Sequence, residues 1–275
     1  MEKSKTPKKK REKTKEEIVK TEIGLEEEVI VEQEIKKDDT PQINVPFGWK
    51  PKTNLGKSVV AGKVTNIDEV FENGMKITEH QIVDVLLPTL ENEIILIGGS
   101  GGKGGGSKRI LSRRTVRMHK SGRRFRTSAM VAVGNGNGFV GVGMGSGPTG
   151  KHRDVMNKAT NKAKMNIIPI RRGCGSWECK CGGTHSIPFA VSGKSGSVHV
   201  DLIPAPKGIG LCVSGDVRKL MRLAGIKDIW VKSRGQTGTR YNSIRAFVDA
   251  LGKLNRFRSR EDYDKATGLR VGRVE

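Results

Sequence analysis

The sequence predicts an α+β fold: a helix–antiparallel strands–helix domain, then a smaller α/β domain, behind a charged N-terminal extension. Three observations predict it. A run of small and apolar residues from Thr127 to Val133 and an alternation of apolar residues with glycine from Val140 to Gly145, on either side of a glycine–asparagine turn, mark paired strands. Segments with helical spacing, Thr78–Leu87 and Lys151–Asn166, flank that pair. A further succession of strand and helix signals runs from Ile167 to Leu254. The expected bounds are 1–48 for the extension, 49–166 and 167–255 for the two domains, and 256–275 for a basic tail.

Residues 1–40 hold 11 basic and 12 acidic side chains and few apolar ones, so burial cannot offset the entropy of ordering them. Disorder is expected there. Pro41 to Ser58 reads as an extended approach containing NVPFGWKPKTNLG. Thr78-Glu79-His80-Gln81 has the arrangement of a capping box before Ile82, Val83, Val85, Leu86 and Leu87. Glu93–Ile97 is strand-like, and the glycine-rich run Gly98–Ser107 reads as a flexible loop. A basic strand, Arg109–Met118, then leads through the loop Lys120-Ser121-Gly122-Arg123-Arg124 into a strand ending at Val133. Asn-Gly pairs suit a tight hairpin between Gly134 and Gly138, and Phe139–Gly145 returns. On that strand Val140, Val142 and Met144 face a core. Gly141, Gly143 and Gly145 leave the other face bare, open to close approach by another backbone, and the cationic loop feeding this glycine-faced hairpin looks like a surface for RNA. The next helix carries Val155, Ala159 and Ala163 on one side, with Lys151 and Arg153 in a first turn suited to an anion. Helix, antiparallel strands, helix is the order of a double-stranded-RNA-binding module.

In the second domain, strands are expected at Ile187–Val191 and Ser197–Ile203, joined by a turn at Gly193–Gly196, with Val198, Val200 and Leu202 inward. Ser214 caps a helix bearing Val217, Leu220, Met221 and Ala224, closed by Gly225. Asp228–Lys232 is the next strand. The last helix places Ile244, Phe247, Val248, Leu251 and Leu254 in register, and the tail from Arg256 reads as peripheral.

Charge narrows the function. Lys and Arg number 51 against 29 Asp and Glu, a net charge of +22. The first 40 residues contribute −1, so the rest carries +23. Between Glu93 and Asp154 there are twelve Lys or Arg and no acid, which favours a phosphate-facing surface over an ordinary solvated one. The candidate RNA-binding residues are Lys108, Arg109, Arg113, Arg114, Arg117, Lys120, Gly122, Arg123, Arg124, Arg126, Lys151 and Arg153. No apolar run has the length of a membrane span, and the Lys-rich N-terminus lacks the apolar core of a secretory signal. A soluble, intracellular, cytoplasmic protein without a membrane partner is expected.

Gly136-x-Gly138-x-x-Gly141 matches the dinucleotide fingerprint in letters, but it runs into a strand where the fingerprint needs a helix. Gly193-Lys194-Ser195 has Pro188 where a phosphate-binding loop needs glycine. No nucleotide cofactor is expected. Cys174, Cys179, Cys181 and His185 lie within twelve residues, interleaved with glycines. Three thiolates and an imidazole suit a tetrahedral structural Zn²⁺ with no open position, and reduced thiols beside a loop histidine are the alternative. Cys212, between Leu211 and Val213, reads as packed in a strand. No Ser/His/Asp or paired-carboxylate constellation stands out, so an enzyme is not expected.

With these residues in view, the chain resembles the small-subunit ribosomal protein S-five (uS-five) family in its archaeal form. The segments SGRRFRTSAMVAVGNGNGFVGVGMG, PIRRGCGSWECKCGGTHSIPF, GSVHVDLIPAPKGIGL and LAGIKDIWVKSRGQTGTRYN carry the resemblance, which spans roughly Trp49 to Leu254. It implies a double-stranded-RNA-binding-like domain followed by a smaller α/β domain, and a ribosomal component rather than an enzyme. It further implies rRNA contacts by Lys120, Gly122, Arg123, Arg124 and Arg126 near the decoding region and the mRNA entry. The neighbouring protein S-four would lie beside the second domain, in part at the PAPKGIG loop. The charged extension, the Gly98–Ser107 insertion and the GSGPTGKHRD segment depart from the family pattern.

Overall fold

A computed structural model describes residues 48–101, 107–179, 181–258 and 260–272. The expected disordered extension lies outside these residues apart from Gly48, as do the tip of the glycine-rich insertion and the side chain of Lys108.

Three short helices open the fold: α1 (Asn54–Val60), α2 (Ile67–Glu72) and α3 (His80–Leu86). The first falls partly where the sequence reads as extended. Thr53 caps it, its hydroxyl accepting from the Gly56 N–H at 3.1 Å. The capping box at α3 does not form. Glu79 is itself the N-cap, and its carboxylate accepts from Trp49 Nε1 at 2.8 Å and from the Lys52 and Thr53 amides at 3.0 and 2.7 Å. It therefore fastens the entry of α1 to the start of α3. Leu55, Val59, Ile67, Val70, Ile82 and Val83 close over Phe139 and Ile167 as one apolar cluster.

The first sheet follows, with β1 (Glu91–Ile95), β4 (Ser112–His119), β5 (Gly122–Gly134), β6 (Phe139–Pro148) and β7 (Ile167–Pro169). Its order is β1-β5-β6-β7, all antiparallel, with β4 pairing to the outer half of β5 and β1 to the inner half. Ile167–Pro169, just C-terminal to the expected boundary at 166/167, thus belongs to this first sheet. The expected flexible loop is in part a small hairpin, β2 (Gly98–Gly101) with β3 (Ser107–Ile110), held by backbone pairing that leaves no side-chain signature.

Between β5 and β6 the loop is not an Asn-Gly turn with two consecutive left-handed residues. Only Gly136 and Gly138 have positive φ, and the Asn135 side chain accepts from the Asn137 and Phe139 amides at 2.8 and 3.1 Å. The bare face of β6 receives another backbone at close range, as its glycines predict. Helix α4 (His152–Met165) lies on it so closely that a Cβ at Gly141, Gly143 or Gly145 would strike the carbonyl of Ala163, Ala159 or Val155. Val155, Ala159 and Ala163 are the buried helix positions, as their spacing predicts.

The second sheet has the order β11-β12-β10-β9, from β9 (Val191–Ser195), β10 (Val198–Pro204), β11 (Leu211–Cys212) and β12 (Ile229–Arg234). The expected turn at Gly193 is strand, because Gly193 packs directly under Ala246 and Ala250; the chain turns at Gly196 instead. Val198, Val200 and Leu202 point inward as expected. Helices α5 (Gly215–Leu223) and α6 (Arg240–Leu254) supply the remaining core. Cys212 lies in β11 but is exposed, since that strand is a two-residue edge. Ile95, Met130, Ala132 and Val140 of the first sheet join Leu220, Leu223 and Ile229 in one cluster, so the two sheets share a core.

The tail is not peripheral. Arg171–Arg172 forms β8, which pairs with β13 (Arg270–Val271) after helix α7 (Glu261–Thr267).

Candidate nucleic-acid interface and metal centre

Beyond Arg126, which pairs with Pro148 at the end of β6, strands β4 and β5 continue alone as a two-stranded ribbon. Every residue from Arg113 to Arg126 is exposed. Strand β4 and the start of β5 bring Arg113, Arg114, Arg117, Lys120, Arg123, Arg124 and Arg126 onto this arm, with no acidic side chain among them. Gly122, at φ 106°, makes the turn at its tip, a conformation costly for any residue with a Cβ. Arg124 donates to Ser121 Oγ at 3.1 Å and Arg126 to Ser146 Oγ at 2.7 Å, which steadies both guanidinium groups without neutralising them.

The other basic residues fall outside the arm. Arg109 donates to Asp216 at 3.1 Å, and Arg240 meets the same carboxylate at 2.9 Å, so Arg109 ties β3 to α5. Lys151 and Arg153 are exposed at the start of α4, shortly after β6 leaves the base of the ribbon. Lys151 is the N-cap of that helix and its side chain makes no cap hydrogen bond.

The second cluster is built by a pinched loop. Gly173 and Ser186 exchange backbone hydrogen bonds of 3.0 and 3.1 Å, bringing together the ends of the segment that holds Cys174, Cys179, Cys181 and His185. Their ligand atoms all lie within 4.8 Å of one another, close enough to hold a metal ion. Cys174 and His185 form the buried side of the cluster; Cys181 forms the exposed side. His185 Nδ1 lies 2.9 Å from Asp228 Oδ2, and Cys179 Sγ lies 3.9 Å from Nε2. With the Asp228 carboxylate on its Nδ1 side, the ring turns Nε2 toward the cysteine sulfurs, free to ligate. The other Asp228 oxygen accepts from the Gly208 and Gly210 amides at 3.1 and 2.8 Å.

The thiols are not equivalent. Burial, reinforced by Cys181 and Cys179, pushes the Cys174 thiol up to about 11. Backbone hydrogen bonding from Lys207 and Cys181 lowers Cys179 to about 6. A low-pKa thiolate is where a cation would first attach. The tail closes over the loop: the Cys174 amide donates to the Thr267 carbonyl at 2.8 Å, and the Tyr263 hydroxyl to the Pro188 carbonyl at 2.6 Å. The four clustered residues were legible from their spacing. Asp228 was not, because nothing local in the sequence distinguishes it from a strand-start aspartate.

Comparison with known proteins identifies the family. Residues 107–171 match the family described as ribosomal protein S5, N-terminal domain, and residues 193–266 match ribosomal protein S5, C-terminal domain. The small ribosomal subunit protein uS5 of Thermofilum pendens is 47% identical over 218 residues, covering 78% of this chain and 98% of that protein. Its counterpart in Methanothermobacter thermautotrophicus is 48% identical over 225 residues, 80% of this chain and 94% of the relative. The Pyrobaculum calidifontis protein of the same name is 50% identical over 204 residues, with 74% and 92% covered. An exposed arm free of acids and a two-part match across both sheets agree, and the chain belongs to the uS5 family of small ribosomal subunit proteins.

Proposed function

We propose that the chain is a structural, non-catalytic constituent of the small ribosomal subunit in the cytoplasm, binding small-subunit rRNA chiefly through the β4–β5 arm. The observation that carries this is the arm itself: seven cations, no acid, and both faces in solvent. A two-stranded ribbon is marginal alone in water, so a polyanionic partner both complements its charge and gives it the cover it lacks. Lys151 and Arg153 extend the phosphate-facing surface past its base. Arg109 contributes by holding β3 in place. The α3–β1–β5–β6–α4 order supports a double-stranded-RNA-binding-like first domain, and the second domain begins after β7. Placed in the subunit, the arm supports assembly, decoding fidelity and mRNA entry, and the Pro204–Gly210 loop faces protein S-four.

The Cys174–Cys179–Cys181–His185 cluster holds a structural zinc ion, with Asp228 orienting His185. All four positions come from protein, so the ion stabilises the loop rather than acting on a substrate. Sequencing RNA crosslinked to the protein in cells tests the main reading. Crosslinks concentrated in small-subunit rRNA, with the protein side mapping to Arg113–Arg126, are expected. Crosslinks scattered over other RNAs would move the function to a free RNA-binding protein.

A further inference from the structure

The ribbon has two chemically different faces. Residues directly opposite one another in an antiparallel pair lie on the same face. Arg117 opposes Arg124 and Thr115 opposes Arg126, so one face of the arm is wholly polar and cationic. On the other, Val116 opposes Phe125 and Met118 opposes Arg123. There Met118 is 70% exposed, Val116 46% and Phe125 37%. The Arg114 guanidinium lies 3.9 Å from the centre of the Phe125 ring. Apolar and aromatic side chains so placed have no core of their own to enter.

A partner that covers the whole arm must offer charge to one face and flat apolar surface to the other. RNA offers both, as phosphates and as the faces of unstacked bases. Arg114 and Arg123 flank the apolar patch, and the arm carries no acid, which disfavours an ordinary protein surface with basic groups of its own. We infer that the Val116–Met118–Phe125 face, flanked by Arg114 and Arg123, receives unstacked nucleobases, while the Arg117–Arg124–Arg126 face holds phosphates. The inference rests on the rRNA-binding reading and adds a base-contacting function to it. Stacking tolerates any base, so this face would favour single-stranded or bulged segments over a continuous duplex.

Binding of the full chain to a small-subunit rRNA transcript, measured across a salt series, separates the two faces. R117E/R124E is expected to weaken binding and flatten the salt dependence by about one to two units of slope, since each phosphate held by an arginine contributes about one. F125A is expected to weaken binding roughly 5- to 100-fold with the slope unchanged, since stacking is an uncharged contribution. F125L, which keeps the apolar bulk and the cross-strand packing with Val116, is expected to weaken it similarly, and F125W to restore it. If F125L binds as tightly as the parent, stacking on this face is excluded. If F125A leaves RNA affinity intact but impairs joining with other ribosomal proteins, the face docks protein and the inference fails. If R117E/R124E also leaves binding unchanged, the RNA reading of the arm itself falls.

Discussion

Asp228 serves two structures with one carboxylate. One oxygen sits at His185, and the other gathers the Gly208 and Gly210 amides of the Pro204–Gly210 loop. Asp228→Asn keeps its size but not its charge, and is expected to weaken zinc affinity about 10- to 100-fold, the usual cost of losing such a partner. Competition against a chromogenic chelator reads that directly. Protein purified without chelator is expected to carry one zinc per chain, and Cys174→Ser far less, by elemental analysis; a parent value well below one removes the assignment. Glu79 carries a second expectation. Partial burial pushes its pKa up, but hydrogen bonds from Thr53, Trp49 and Lys52 outweigh this and hold it below the ordinary value. A depressed folded pKa gives stability that is present above the unfolded pKa and lost as pH falls through the folded one. Glu79→Gln should therefore lower the melting temperature at neutral pH, with the difference shrinking in acid. A difference independent of pH would mean the charge is not what holds α1. At this scale the sequence was legible where partners are close in the chain. It was silent where a carboxylate acts on distant groups, as Asp228 and Glu79 both do.

Elements were legible in proportion to their length and to the side chains they bury. The continuous small and apolar run of β5, the alternation of β6 and the stripes of α4, α5 and α6 were readable because each presents several such positions in a row or in one period. Helices α1 and α2 run only seven and six residues and lack the dense apolar run, Ile82 to Leu87, that made the equally short α3 readable. The β2–β3 hairpin pairs through backbone among glycines, which carry no pattern at all. The glycine face of β6 was legible as a place of close approach, but not its occupant, because the sequence cannot say which backbone arrives. Its helix can be tested. Gly143→Ala puts a Cβ against the Ala159 carbonyl and the Ala163 amide, main-chain atoms that cannot swing aside. A loss of about 1–3 kcal/mol in unfolding free energy is expected, since overpacking forces the helix off the strand. An unchanged denaturation midpoint would show that α4 sits less tightly than this.

Across the whole molecule, one cluster of buried side chains runs from the first sheet into the second. Calorimetry is accordingly expected to show one cooperative transition for residues 48–272, with two resolved transitions as the opposing result. Arg172 reinforces the junction. It is buried, donates to Asn137 in the β5–β6 loop at 2.9 Å, and donates to the Gly272 carbonyl at 3.3 Å. Burial lowers its pKa, yet the guanidinium lies far above neutrality and keeps its charge. The pairing of β13 with β8 also has a bearing on time. A chain is made from its N-terminus, so the cysteine loop is complete before the helix and strand that pack against it have been synthesised. With the zinc site proposed above, an ion could enter from any side of the loop during synthesis, but only from the exposed Cys181 side in the finished protein. For a site of this kind, order of manufacture would bear on metal loading alongside affinity.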